Sequence, residues 1–284
     1  MMPLSLYDSW KLLHKKLFGV EQNCPAELEE IGRAIVGKCE GLPLAILVVA
    51  GHLSKVPMTK ETWAIVAKNV NRVVASDPEG RIALLAMGYH YLPIHLKPCF
   101  LHIGTIPRGN EIDAWTLIRL WVAEGFLKND KLRSPEEVAE ECLEDLVSRN
   151  LIMVPRKKVD GRIKSCSMHG LLRDFSVREA EKEKLLNVIT NNEVPNFSAA
   201  NELSPPNFSL HTSISLENFM KSSQVVRSLY LFKEPTGKTS KFKSLRVLAT
   251  PKSSFIFRHH MILDSAILRY LEVTGDNDFM EFLG

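Results

Sequence analysis

The feature that most constrains the fold is the dipeptide Asp160-Gly161, which separates two short extended runs, residues 151–155 and 162–167. Aspartate-glycine between two such runs is a strong hairpin signal, because both turn positions favour a positive φ. Three helical segments precede this hairpin, and residues 171–186 form another behind it. Helices grouped around one antiparallel hairpin predict a winged-helix domain, which we place at residues 76–185.

Residues 1–75 show only helical periodicity. Leu6, Trp10, Leu13 and Leu17 recur at the spacing of one helix face. Pro25 followed by acidic residues opens a second helix, and Pro43 opens a third at the position where a missing N–H costs nothing. Trp63 centres a fourth. These residues therefore predict a small all-helical subdomain.

The C-terminal third carries a weak repeat. Residues 187–206 are rich in Asn, Ser and Pro, which predicts a linker at residues 186–210. Beyond it, the form LxxLxL or a close variant begins at Val226, Leu245 and Leu268. This pattern is typical of the strands of leucine-rich repeats, whose period is about 20–29 residues. Residues 211–284 are therefore predicted to be the first repeats of a solenoid, and the fold class is mostly α with an α/β repeat at the end.

Composition narrows the class of protein further. The 284 residues are 45% hydrophobic and 24% charged with a net charge of +3, which is ordinary globular material and too balanced to predict a nucleic-acid or membrane partner. Five dispersed cysteines do not form a disulfide framework. No signal peptide is visible, and the longest apolar run, residues 42–50, is too short to span a bilayer. We therefore expect an intracellular protein without a transmembrane segment.

Five sequence landmarks occur in one order. They are, in chain order, DSWKLL at residues 8–13, GLPLAI at 41–46, LPIHLKPCF at 92–100, LIRLWVAEGF at 117–126 and MHGLLRD at 168–174. Together they resemble the NB-ARC module of plant nucleotide-binding, leucine-rich-repeat immune receptors, of the type with an N-terminal coiled coil. The likeness covers residues 6–180, and the repeats extend it to the end of the sequence.

The resemblance implies a nucleotide switch in plant defence. In the family, ADP holds the module closed, and exchange for ATP opens it for signalling and oligomerisation. By this resemblance Leu42 and Pro43 would contact the adenine, and His169 would meet the diphosphate at a helix start, where backbone N–H groups favour anions. The implied latch comprises Met168, His169 and Gly170. The implied partners are other receptor domains, another receptor, and a pathogen effector or guarded host protein; the implied location is the cytoplasm.

Two departures from the family pattern limit this expectation. The family's phosphate loop and the aspartate-rich strand behind it lie upstream of the motifs found here. Gly237-Lys238-Thr239 is no substitute, because a phosphate loop needs a glycine where Phe232 stands. We therefore expect no enzymatic activity and no bound nucleotide from this chain alone. Gly170 is the second departure, because the family has aspartate there. We hypothesise that glycine weakens the closed state, or that the chain is a decayed copy that no longer needs to maintain that state.

Other functions remain open from the residues alone. A nucleotide-independent fragment that modulates another receptor is one. A DNA-binding winged helix is another, supported by the basic wing, Arg156-Lys157-Lys158 with Arg162 and Lys164, and opposed by a neutral domain whose groove-entering helix offers only Arg119. No metal site is predicted, because Pro98 disturbs the helix that would align His95 with Cys99. His259-His260 is predicted to be solvated.

Overall fold

The computed structural model describes residues 2–19, 23–76, 81–128, 130–190, 207–212, 226–233, 244–251 and 270–274. Four segments lie outside the described residues: residues 77–80 at the start of the predicted winged-helix domain, most of the predicted linker, Gly237-Lys238-Thr239 and His259-His260. Two compact units divide the chain: residues 1–100 with 141–175, and residues 101–140 with 176–284.

The helices and strands follow one another in a simple order. The helices are α1 (Leu6–Phe18), α2 (Ala26–Lys38), α3 (Pro43–Leu53), α4 (Lys60–Ser76), α5 (Arg81–His90), a 3-10 turn (Ile94–Leu96), α6 (Lys97–Ile103), α7 (Ala114–Glu124), α8 (Pro135–Ser148) and α9 (Gly170–Lys182). The strands are β1 (Ile112–Asp113), β2 (Met153–Lys157), β3 (Ile163–Ser167), β4 (Asn187–Ile189), β5 (Asn207–Leu210), β6 (Ser228–Leu231), β7 (Val247–Pro251) and β8 (Tyr270–Thr274). The mostly helical fold with a hairpin wing is confirmed.

The first unit is built around the apolar faces of α1 to α5. Trp63 is fully buried, and Trp10, Leu13, Ile35 and Ile46 surround it in one core. α3 is apolar on nearly all sides and lies at the centre of this core, which is why its sequence shows no polar face. Residues 1–75 therefore fold into packed helices, α5 joins the same core, and the domain boundary after residue 75 stays a prediction.

The hairpin differs from the expected two-residue turn. Lys158 N donates to the Arg162 carbonyl at 2.8 Å, and Gly161 N donates to the Lys158 carbonyl at 3.0 Å. These bonds close a three-residue loop in which only Gly161 has a positive φ, 85°. Three-residue hairpins place a left-handed residue, usually glycine, at the last loop position. Asp160 instead accepts the Arg162 N–H with its carboxylate, so the prediction that both turn positions take positive φ is wrong.

Five parallel strands, in the order β4-β5-β6-β7-β8, form a second sheet. Their register aligns positions 187, 208, 229, 248 and 271, so successive strands are 21, 21, 19 and 23 residues apart. β6, β7 and β8 fall on the three predicted repeat segments. β4 and β5 occupy the two ends of the predicted linker. Their buried residues, Ile189 and Phe208, stand in sequence segments that are mostly polar. The sheet fits a leucine-rich repeat, and the solenoid itself stays a prediction.

Candidate functional site

The turn before α3 positions Leu42 and Pro43. Two consecutive residues, Glu40 and Gly41, adopt left-handed backbone conformations with φ of 50° and 69°. The Gly41 carbonyl accepts the Leu4 N–H at 2.8 Å, which ties the turn to the start of the chain. Leu42 is extended and Pro43 is the first residue of α3, the position at which proline loses no hydrogen bond. Both side chains are half-buried.

His169 stands at the start of α9 with its side chain exposed. Its Nδ1 atom accepts the Leu171 N–H at 3.2 Å, and its carbonyl accepts the Arg173 N–H at 2.9 Å. The Nδ1 atom therefore accepts as an unprotonated nitrogen, and the imidazole caps the first turn of α9. Met168, immediately before it, is half-buried. The capping hydrogen bond is therefore sufficient to explain the position of the His169 ring at the start of α9.

The candidate residues thus lie at two helix N-termini within the first unit. Leu42 and Pro43 begin α3, and Met168, His169 and Gly170 begin α9; no hydrogen bond among the described residues joins the two groups. Free backbone N–H groups and the helix dipole make each N-terminus favourable to an anion. The arrangement is chemically compatible with the adenine and diphosphate contacts that the resemblance implies, and those assignments stay predictions.

Gly170 is the first residue of α9, and its backbone lies outside the left-handed region. The backbone conformation at this position therefore does not require glycine. An aspartate in the first turn would be favoured by the helix dipole and would remove the conformational freedom of glycine from the unfolded chain. The departure from the family pattern has no backbone cause.

We expect Gly170→Asp to raise the free energy of unfolding by about 0.5–1 kcal/mol at low salt. Gly170→Asn is the matched control, because it has the same size without the charge and should give a smaller gain. Urea unfolding of the three proteins at two salt concentrations measures the effect, and the excess of Asp over Asn should shrink at high salt. Equal stability of the Asp and Asn variants at low salt would refute the dipole explanation.

The rival DNA-binding site finds little support in α7. Arg119, the cation that this helix would bring to a groove, is only 6% exposed, and Trp115 is the exposed large side chain of the helix. The wing does carry exposed Lys157, Lys158 and Lys164. Phosphate contacts from a wing alone would position a protein on DNA without reading its sequence. A sequence-specific DNA site would need polar side chains that α7 does not present.

The histidines and cysteines of residues 90–102 were considered as a possible metal cluster and were not predicted to be one. Among the described residues, no group of three His, Cys, Asp or Glu side chains is placed to hold a metal ion. His90 and His95 are exposed, whereas Cys99 is buried beside Cys142. Within the described residues, no helix is long and apolar enough to cross a membrane.

One polar cluster was missed by sequence reasoning. His102, Glu124 and Tyr230 meet in the second unit through side-chain hydrogen bonds. The last of them is separated from the other two by 128 and 106 residues. No local pattern connects residues that far apart, and Glu124 was noticed only as part of an apolar helix motif.

Comparison with known proteins assigns the class. Residues 106–176 match the winged helix domain of disease resistance proteins, inside the region predicted for it. A putative late blight resistance protein homolog from Solanum demissum is 43% identical over 188 residues, which is 66% of this chain and 14% of the relative. A second such homolog from that species is 36% identical over 229 residues, 80% of this chain and 17% of the relative.

The chain therefore contains a disease resistance protein winged helix domain and is a homologue of the late blight resistance proteins. A protein named as a late blight resistance protein in Solanum demissum is itself 40% identical over 188 residues. The chain spans only about one seventh of the length of these relatives. The predicted resemblance to plant disease resistance proteins is confirmed for the winged-helix domain and for the matched two thirds of the chain.

Proposed function

We propose that this chain is the control region of a plant intracellular immune receptor, in which an ADP/ATP-binding module regulates defence signalling. The observation that carries the proposal is the identity of 40–43% to late blight resistance proteins over two thirds of the chain. The fold is compatible with it, because a helical bundle, a winged helix and parallel repeat-like strands follow in the order that such a receptor requires. The proposed location of the receptor is the cytoplasm, and the chain is proposed to have no enzymatic activity.

A chimera tests the proposal directly. The matched 188-residue segment of a late blight resistance relative is replaced by the corresponding residues of this chain, and the chimera is expressed in leaves. We expect a cell-death response and restriction of late blight when the relative's own recognition is triggered. A chimera that accumulates to the normal level and gives neither response would overturn the proposal.

The same chimera tests the hypothesis on Gly170. If glycine weakens the closed state, the chimera should signal without a trigger, and Gly170→Asp should suppress that background. Measurement of ion leakage from untriggered leaves gives the comparison. Equal background with glycine and aspartate removes this hypothesis and leaves the receptor assignment untouched.

Nucleotide content separates a switch from a fragment that acts through protein contacts alone. We predict that the purified 284-residue chain releases no stoichiometric ADP or ATP on denaturation, because its sequence contains no glycine-rich phosphate loop around the proposed contacts of Pro43 and His169. Chromatography of the denatured supernatant measures the nucleotide. Release near one mole per mole of chain would contradict this prediction and would favour a site complete within these residues.

A further inference from the structure

A chain of buried polar groups joins α6 and α7 to the parallel sheet. The Tyr230 hydroxyl on β6 donates to Oε1 of Glu124, the last residue of α7. On its other side, the hydroxyl lies 2.9 Å from Nε2 of His102 on α6. His102 is 4% exposed and Tyr230 is 2% exposed, so these two groups have given up their contact with water. Phe126 packs edge-on against the His102 ring.

The protons of this chain can be assigned. Because the Tyr230 hydrogen is directed at Glu124, His102 must donate its Nε2–H to the tyrosine oxygen. Burial lowers the pKa of His102 to about 3, so the ring is neutral at ordinary pH and its Nδ1 carries a lone pair. That Nδ1 atom is buried without a hydrogen-bond partner in the described residues. The Tyr230 hydroxyl is thus the partner that satisfies the His102 donor.

Glu124 is held by more than one group of the sheet. Burial raises the pKa of its carboxyl, whereas hydrogen bonds from Ser228 and Tyr230 and the nearby charge of Arg246 oppose that rise. Ser228 and Tyr230 alternate with Leu229 along β6. The carboxyl therefore meets two side chains from one strand and a cation that precedes the next strand.

A second polar contact fixes the neighbouring strand in the same way. The Thr105 carbonyl, just after α6, accepts a hydrogen bond from the Ser209 hydroxyl at 3.0 Å and lies 2.5 Å from Nε2 of His211. Ser209 is fully buried on β5. Two adjacent strands are therefore held to the same helical segment by side-chain polar groups at alternating strand positions.

We propose that Glu124, Tyr230 and His102 form a clamp that fixes the docking of the parallel sheet on α6 and α7, and that rupture of this clamp releases the sheet as a unit. Apolar contacts tolerate small shifts, but a buried polar chain is satisfied in only one arrangement. Opening the clamp leaves its groups unpaired until water replaces every partner, so intermediate positions are disfavoured. The sheet consequently has a docked and a released state with little between them.

Hydrogen exchange on the intact 284-residue chain tests the clamp. Tyr230→Phe removes one hydroxyl and keeps the ring, and it should speed exchange of residues 207–210 and 228–231 on the order of tenfold. Exchange in α1 to α3 should not change. Tyr91→Phe is the matched control, because it removes a hydroxyl that pairs with Asn69 in the first unit and should leave the sheet peptides at their original rates.

A double-mutant cycle tests whether Tyr230 and Glu124 act through the hydrogen bond that joins them. Glu124→Met removes the acceptor and should speed exchange of the same strands, whereas Glu124→Gln keeps an acceptor oxygen and should stay near the original rate. Combining Tyr230→Phe with Glu124→Met should have much less effect than the product of the two single changes. Multiplicative effects, unchanged strand exchange, or equal acceleration throughout the chain would each overturn the proposal.

Discussion

Gly51→Ala is expected to destabilise the folded chain by about 3 kcal/mol. Gly51 lies in α3, and a Cβ atom built there would overlap the backbone of Arg149, with the Arg149 Cα only 2.6 Å away. Backbone cannot rotate out of the way as a side chain can. Either α3 or the segment behind α8 must therefore move, and the neighbouring contacts must move with it.

Those contacts make the displacement costly. Asn150 Nδ2 donates to the Leu47 carbonyl at 2.9 Å, and Lys55 Nζ pairs with Asp145 at 2.7 Å. Gly37→Ala is the matched control, because Gly37 lies in the last turn of α2 and its Cβ would meet only Leu6 at 3.9 Å. That change should be neutral or stabilising by up to about 1 kcal/mol. Urea unfolding of both variants measures the difference, and similar midpoints would show that the Gly51 contact is not restrictive.

Gly41→Ala is expected to cost a comparable amount, about 3 kcal/mol, for two separate reasons. Its φ of 69° is disfavoured for alanine by roughly 1–2 kcal/mol. A Cβ atom would also overlap the Leu4 backbone, whose nitrogen lies 2.7 Å away. The hydrogen bond from Leu4 to the Gly41 carbonyl would then be broken or displaced, and the turn that delivers Pro43 to the start of α3 would shift.

Gly109→Ala isolates the conformational part of that cost. Gly109 has a similar φ of 82°, but nothing lies within 4 Å of its Cβ position. It should lose only about 1–2 kcal/mol, so the excess at Gly41 reports the overlap with Leu4. Thermal unfolding followed by circular dichroism gives both values. Equal losses at the two positions would mean that the turn accommodates a side chain, and Gly41 would then have no packing role at the candidate site.

The helical part of the fold was predictable because its signals are local. The apolar spacing of α1, the proline at the start of α3 and Gly125 after α7 each act within one or two helical turns. Gly125 adopts the left-handed conformation, with φ of 75°, that ends a helix. The wing was predicted for the same reason, although its loop is one residue longer than expected. Asp160 stabilises that loop through its side chain, which the dipeptide alone does not reveal.

Strands β4 and β5 escaped prediction because their information is not local. Each is only three or four residues long, and Asn, Ser and Pro dominate the neighbourhood. A strand that short is stabilised by its partners in the sheet and by one or two buried apolar side chains. Phe208 is completely buried and pairs with Leu229, but this is visible only once β6 is in place.

For the candidate site, the sequence predicted both helix starts and the helix-starting role of Pro43, which the structure shows. The structure adds the hydrogen bond by which His169 Nδ1 caps α9. Contacts among Glu124, Tyr230 and His102 could not be foreseen, because the residues belong to two helices and a strand that no spacing rule relates. A buried hydroxyl between a carboxyl and an imidazole has no sequence signature.

The close approach of α3 to Arg149 has a mechanical consequence. Pro43 begins this helix and Gly51 lies eight residues further along, about 12 Å at 1.5 Å per residue. The helix therefore connects the candidate adenine contact at one end with the backbone that leads into the wing at the other. Because no side chain separates Gly51 from the Arg149 backbone, a displacement of α3 towards Arg149 has to move the segment before β2 as well.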